Sequence, residues 1–496
     1  MARKAGKRDS NPLHYHLIGI GGTAMASLAG LLKAAGHEVT GSDENVYPPM
    51  STELERMGIP FKQGYRPENL SSKPDIVVVG NAISRGNAEL EEVLIRKLRY
   101  TSAAATIKEE FIWGRHSLAV AGTHGKTTTT SLLAWVLESA GLNPSFLIGG
   151  VAENFGTSYR LTSSKYFVIE ADEYDTAYFD KGPKMWHYLP DTAIVNNIEF
   201  DHADIYRDEE AYRFAFARFI NLIPKNGVLV AGWDSPITRQ LAPKSFAPVE
   251  SFAYTDQSLP PAGQPHWRAR DVQFSESGTT FIAFRSGDEW GRVETPLAGA
   301  FNVRNVLAVI AAAESIKADR DGVRQGLRTF TSVKRRMEVR GEIRGVAVID
   351  DFAHHPTAVR ETIDAIRQKY SGRRIVAVFE PRSYTAQRRE FQNDYVKAFS
   401  SADEIIFSSL FHPERYTAET AINIPDMVRA WESSGKAAKH LKDADAIVND
   451  LTPRLANGDV VLIMSNGGFG GIHQKLLDAL EANPAESLTP DGERRP

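Results

Sequence analysis

The chain contains no cysteine. Disulfides, thiolate metal sites and a cysteine nucleophile are therefore excluded. It also lacks any run of about 18 apolar residues, the length a membrane-crossing helix needs. Neither sign of charge dominates: 58 Lys and Arg stand against 62 Asp and Glu, a formal charge of −4. Nucleic acid and anionic membrane surfaces thus have no electrostatic claim on it. The basic opening, Met1 to Arg8, has no apolar signal core behind it. A targeting role is not expected, and the cytoplasm is the expected compartment. No short internal repeat is evident, and 496 residues are too many for one core, so three domains are expected.

What is present is a phosphate-binding device. The run Gly122-Thr123-His124-Gly125-Lys126-Thr127-Thr128-Thr129 follows the apolar stretch Leu118–Ala121 and leads into a helical pattern from Ser131. Strand, glycine turn and helix start aim backbone N–H groups at an anion, Lys126 adds a point charge, and the Thr127 hydroxyl suits Mg²⁺. The usual pattern wants a glycine where Val120 stands. The flanking strand and helix outweigh that departure, and ATP is the expected ligand.

A second glycine loop, Gly19-Ile20-Gly21-Gly22-Thr23-Ala24, sits between the strand His14–Ile18 and a helix, with Asp43 closing the next strand. This is a loose dinucleotide fingerprint; it predicts a βαβ unit binding a diphosphate through Gly19, Gly21, Gly22 and Thr23. A nicotinamide oxidoreductase is the reading it would support alone, and the separate ATP loop argues against it.

The chain as a whole reads as α/β. Residues 12–115 form a Rossmann-like domain. Residues 116–331 form a central P-loop ATPase-like α/β domain with small antiparallel strands appended over 240–295. Residues 332–483 form a second Rossmann-like domain, and 484–496 a disordered tail. Glu170 ends the buried run Tyr166–Glu170, where open α/β sheets place ligands, and is the expected Mg²⁺ carboxylate. His202, following the strand Thr192–Asn197, is either a second metal ligand or a loop histidine. At Asp350-Asp351-Phe352-Ala353-His354-His355-Pro356 a metal cluster is tempting. A strand-to-helix turn with Pro356 just inside the helix is more economical, and Asp351 suits a nucleotide contact.

Together these residues resemble the Mur ligase superfamily, the ATP-dependent amide-forming enzymes of peptidoglycan assembly. The resemblance runs over roughly 13 to 480. It rests on the short phosphate loop, Glu170, His202, Asn302-x-x-Asn305, Arg336 and Asp351, each in the family's order and context. It implies ATP and Mg²⁺ as cofactors. Gly122, Thr123, His124, Gly125, Lys126, Thr127 and Thr128 would hold the phosphates, with Asn302, Asn305, Arg336 and Asp351 around the nucleotide. Thr127, Glu170 and His202 would hold metal, and Lys126, His202 and Arg336 would act in catalysis.

The loop at Gly19–Gly22 and the run Asp350–Pro356 resemble the branch acting on UDP-N-acetylmuramate, which Gly19, Gly21, Gly22, Thr23 and Asp43 would bind. One member of that branch adds L-alanine. The other adds the recycled tripeptide L-Ala-γ-D-Glu-meso-diaminopimelate. The segments Asn45–Thr52, Phe379–Ser383 and Met464–His473 favour the second, whereas Tyr384-Thr385 resembles the first. Arg382, Ser383 and Asn466 are then expected at the peptide, Arg382 facing a carboxylate. Several family members hold a second metal with a carbamylated lysine. No lysine lies between Lys184 and Lys225, so none is expected here. A hinge near 330–334 is expected to close the third domain over the cleft, and a silent nucleotide switch on the same scaffold is the competing class. Oligomeric state is not legible.

Overall fold

The structure is a computed structural model describing residues 11–47, 50–201, 205–254 and 259–482. Continuous apolar runs such as Ile76–Val79, Ile375–Phe379 and Val460–Met464 are buried throughout, as strands covered on both faces must be. They organise three mainly parallel sheets, each confined to its own stretch of chain.

The first sheet has strands β1 (His14–Ile18), β2 (Glu38–Asp43), β3 (Phe61–Gln63), β4 (Ile76–Val79) and β5 (Tyr100–Ser102), ordered 3-2-1-4-5 and all parallel. β1 lies between β2 and β4, so its glycine loop opens at the point where strand order reverses. Ligands of open α/β sheets bind there.

The central sheet has ten strands. They are β6 (His116–Ala121), β7 (Ser145–Ala152), β8 (Thr157–Arg160) and β9 (Tyr166–Glu170). After a separate hairpin, β10 (Asp175–Ala177) and β11 (Asp180–Pro183), come β12 (Thr192–Val195), β13 (Val228–Gly232), β14 (Val249–Ala253), β15 (His266–Ser275), β16 (Gly278–Arg285) and β17 (Asp288–Thr295). β6 is flanked in parallel by β9 and β12. The phosphate loop, Glu170 and the Asn196–Glu199 turn therefore emerge at one sheet edge. The 240–295 region carries the expected antiparallel strands appended to the central sheet. β14 continues the parallel sheet and β15 joins it in parallel; only β15–β16 and β16–β17 are antiparallel, and they are long.

The third sheet has β18 (Glu338–Ile343), β19 (Val346–Asp351), β20 (Ile375–Phe379), β21 (Glu404–Ser408), β22 (Ala437–Leu441) and β23 (Val460–Met464), ordered 18-19-23-20-21-22. β18 is an antiparallel edge on a parallel sheet. The C-terminal ends of β19, β23 and β20 carry Asp351, the Ser465–His473 loop and the Glu380–Ser383 turn.

The sheets are tied across their borders. A Cβ on Gly30 would stand 2.2 Å from the Tyr159 ring, so the first helix (Thr23–Ala34) packs against β8 only because that position is glycine. Val333 bridges Ala152, and Lys334 N–H donates to Val151 O. Among the described residues, no helix is long and apolar enough to cross a membrane. His202, Pro48, Pro49 and the expected tail after 483 lie outside the described residues.

Candidate functional site

Gly125 caps the helix Lys126–Ser139 in the left-handed region, at φ 80°. Any Cβ there would lie 2.9 Å from Asn305 Oδ1, so glycine is required by space as well as by torsion. Gly122 is likewise at positive φ, pressed on the Asn197 backbone. Thr123 N–H donates to Asn197 O at 2.9 Å, and His124 N–H to Asn197 Oδ1 at 2.8 Å. The turn after β12 thus moulds the phosphate loop.

Lys126 Nζ donates to Gly122 O at 2.7 Å and pairs with Glu173 at 2.8 Å. Burial pulls the ammonium down, but Glu173, Asp172 and Glu170 together raise its pKa, so it stays charged. Glu170 plays a different part. Its Oε1 accepts from the Thr127 hydroxyl at 2.9 Å and its Oε2 from Gly149 N–H at 2.8 Å. Burial pushes the Glu170 carboxyl up, with Lys126 opposing. A carboxylate whose ionisation is resisted by its surroundings, with a threonine hydroxyl bonded to it, suits a hard divalent cation.

The two linker arginines diverge. Arg336 reaches back to the central domain and donates to Thr127 Oγ1 at 3.2 Å. Arg335 stays in the third domain, donating to Ser465 O at 2.6 Å and Gly467 O at 2.7 Å. Asp351 is buried and accepts from Met337 N–H at 2.8 Å and Ala353 N–H at 2.7 Å. It clamps the backbone next to Arg336.

Asn302 and Asn305 are buried on the helix Ala300–Ser315 and bonded to each other at 3.0 Å. Asn305 also meets Asn196 Nδ2 at 3.4 Å. A cleft opens beside them, lined by Gly125, Asn197, Phe252, Phe301, Asn305 and Glu361. One wall belongs to the central domain and Glu361 to the third, where Arg304 meets it.

In the first domain, the N–H groups of Gly19 and Ile20 donate to Ser42 O and that of Gly21 to Asp43 Oδ2 at 2.9 Å. Asp43 holds the loop's shape. The amides of the following helix's first turn, from Thr23 onward, have no intrahelical acceptor, the arrangement that suits an anion.

In the third domain, Arg382 stacks over the Phe411 ring with its guanidinium 3.7 Å from the ring centre, and lies 3.9 Å from Glu380. Ser383 Oγ accepts from Ala386 N–H at 3.1 Å, closing its own turn. Asn466 Oδ1 is buried with no hydrogen-bond partner among the described residues. Thr385 Oγ1 donates to Asp201 at 2.8 Å, docking this turn against the central domain. Pro356 does open a helix, Pro356–Lys369, with His355 as its cap. Glu173, the counter-ion of Lys126, is not singled out by the sequence. Its place three residues beyond Glu170 in one acidic run gave no sign of which carboxylate faces which cation.

A phosphate loop closed by an arginine from a separate α/β domain, with a further glycine loop on a third, defines a nucleotide-dependent ligase of three domains. Residues 14–110 match the Mur ligase family, catalytic domain; residues 120–313 the Mur ligase middle domain; and residues 335–467 the Mur ligase, glutamate ligase domain. The UDP-N-acetylmuramate–L-alanyl-γ-D-glutamyl-meso-2,6-diaminoheptandioate ligase of Escherichia coli is 41% identical over 96% of this chain and 100% of its own. The UDP-N-acetylmuramate–L-alanine ligase of Myxococcus xanthus is 33% identical over 95% of each. The crystal structure of a murein peptide ligase from Psychrobacter arcticus superposes with a TM-score of 0.69 at 37% identity, covering 95% of this chain and 100% of that one. The chain belongs to the Mur ligase family, and it is an ATP-dependent ligase.

Proposed function

We propose that this enzyme joins UDP-N-acetylmuramate to the tripeptide L-Ala-γ-D-Glu-meso-diaminopimelate in peptidoglycan recycling. The lactoyl carboxylate attacks the γ-phosphorus of ATP, ADP departs, and an acyl phosphate forms. The peptide's α-amine then attacks the acyl carbon, loses a proton, and inorganic phosphate leaves. The observation that carries this reading is the Arg336–Thr127 hydrogen bond. It brings a cation from the third domain's linker onto the phosphate-binding helix, so closure and charge stabilisation are one event. An acyl phosphate is lost to water unless the cleft is shut while it exists.

Lys126 stabilises charge that grows on the transferring phosphoryl group, and the loop amides hold it in line. Thr127 and Glu170 would hold Mg²⁺, which would supply neutralisation of the nucleotide's phosphate charge. By resemblance, His202 would bind a second metal near the acyl phosphate or orient that group directly. The tripeptide is preferred over L-alanine because relatives named for the tripeptide are more similar, and because Arg382 and the unpartnered Asn466 offer a cation and an amide to a long, carboxylate-bearing acceptor. A cysteine-free chain using two nucleotides fits the cytoplasm. Phosphate release with ATP, Mg²⁺ and UDP-N-acetylmuramate tests the proposal: turnover is expected with the tripeptide, and turnover with L-alanine alone would reject it.

A further inference from the structure

Three side chains converge where the central and third domains meet. His124 projects from the phosphate loop, Glu199 from the turn after β12, and His355 from the cap of the helix Pro356–Lys369. His124 Nε2 lies 3.2 Å from Glu199 Oε2, and His355 Nδ1 lies 3.9 Å from the same oxygen. One donor atom from each of the three falls within 4.8 Å of the others. The two imidazoles sit 5.0 Å apart, centre to centre.

Two histidines and one carboxylate form a donor set typical of zinc. A tetrahedral ion with bonds of about 2.0–2.1 Å sets its donors roughly 3.3 Å apart. The His124–Glu199 spacing already fits, and the 3.9 Å from His355 Nδ1 to Glu199 is about 0.6 Å longer than that geometry asks.

His355 supplies the second observation. Its ring is buried, its Nε2 has no hydrogen-bond partner among the described residues, and its Nδ1 receives only a long 3.4 Å contact from Thr357 N–H. Buried imidazoles normally have both nitrogens engaged.

We infer that His124, Glu199 and His355 form a Zn²⁺-type transition-metal site that clasps the third domain to the phosphate loop, separate from the Mg²⁺ position at Thr127 and Glu170. Because its ligands come from both sides of the cleft, occupancy stabilises the closed arrangement and would tie turnover to transition-metal availability.

The test is titration of the metal-free full-length chain with Co²⁺, a visible-absorbing stand-in, followed by displacement with Zn²⁺. One saturable equivalent is expected, with the strong visible bands of four-coordinate cobalt. Glu199→Gln and His355→Asn should each weaken it by roughly tenfold or more, and Glu170→Gln should leave it in place. Zn²⁺ should raise the melting temperature of the parent and of Glu170→Gln, but not of Glu199→Gln. Glu199 is partly exposed, so its isosteric change keeps the test valid even if His355→Asn fails to fold. Absence of a saturable micromolar site would overturn the inference. So would a site that survives Glu199→Gln and vanishes with Glu170→Gln, which would place the ion at the nucleotide's metal position.

Discussion

Lys126 and Glu170 lie on the same short stretch of cleft and answer to different forces. Lys126 is kept charged by the buried Glu173 at 2.8 Å. Its replacement by alanine removes charge stabilisation in the phosphoryl-transfer step, and turnover should fall by about three decades or more. Steady-state phosphate release checks this; activity within about tenfold of the parent would remove the loop from catalysis.

Glu170 is held where burial resists its ionisation. A carboxyl whose native pKa is raised contributes its full stability below the ordinary value of 4.5 and loses it as pH rises through the native value. At neutral pH the ionised group therefore costs stability. Glu170→Gln should stabilise the metal-free protein by about 1 kcal/mol at pH 7 while abolishing turnover, the exchange expected of a functional site. The gain should fade as the buffer approaches pH 4. Denaturant melts at several pH values read this directly, and a loss of stability at neutral pH would contradict the assignment.

At the scale of elements, the loop after β23 sets the position of Arg382. A Cβ on Gly467 would stand 2.3 Å from the Arg382 side chain. An arginine end can swing aside, so Gly467→Ala should fold normally while misplacing the guanidinium. The expected effect is a rise in KM for the tripeptide of about tenfold or more, the loss of one charge-assisted hydrogen bond, with KM for ATP unchanged. An unchanged KM for the tripeptide would release Arg382 from peptide binding. Strands such as β4, β20 and β23 were legible because they are apolar end to end. β22, with the sequence Ala-Ala-Lys-His-Leu, and the charged edge β18 were not, because edge strands carry no such pattern and owe their place to a neighbour. The phosphate loop and Pro356 helix start were readable for local reasons. The different destinations of Arg335 and Arg336, and the meeting of His124, Glu199 and His355, were not, since each depends on loops distant in sequence.

At the scale of the whole molecule, the linker into the third domain is the conspicuous mechanical feature. Ser332, Arg335 and Met337 all take positive φ without being glycine, a conformation held only where surroundings enforce it. The Ala152–Val333 bridge anchors one end and Asp351 the other. We propose that rotation occurs here, and small-angle scattering should record compaction when an ATP analogue and UDP-N-acetylmuramate are added together; an unchanged radius of gyration would argue against it. The enzyme's activity is defined by which acceptor it joins to the sugar nucleotide. Its most direct test offers L-alanine and L-Ala-γ-D-Glu-meso-diaminopimelate together, with ATP, Mg²⁺ and UDP-N-acetylmuramate, and identifies the product by mass. The account predicts UDP-N-acetylmuramoyl-tripeptide, with one ADP formed per product. Accumulation of UDP-N-acetylmuramoyl-L-alanine instead would contradict it.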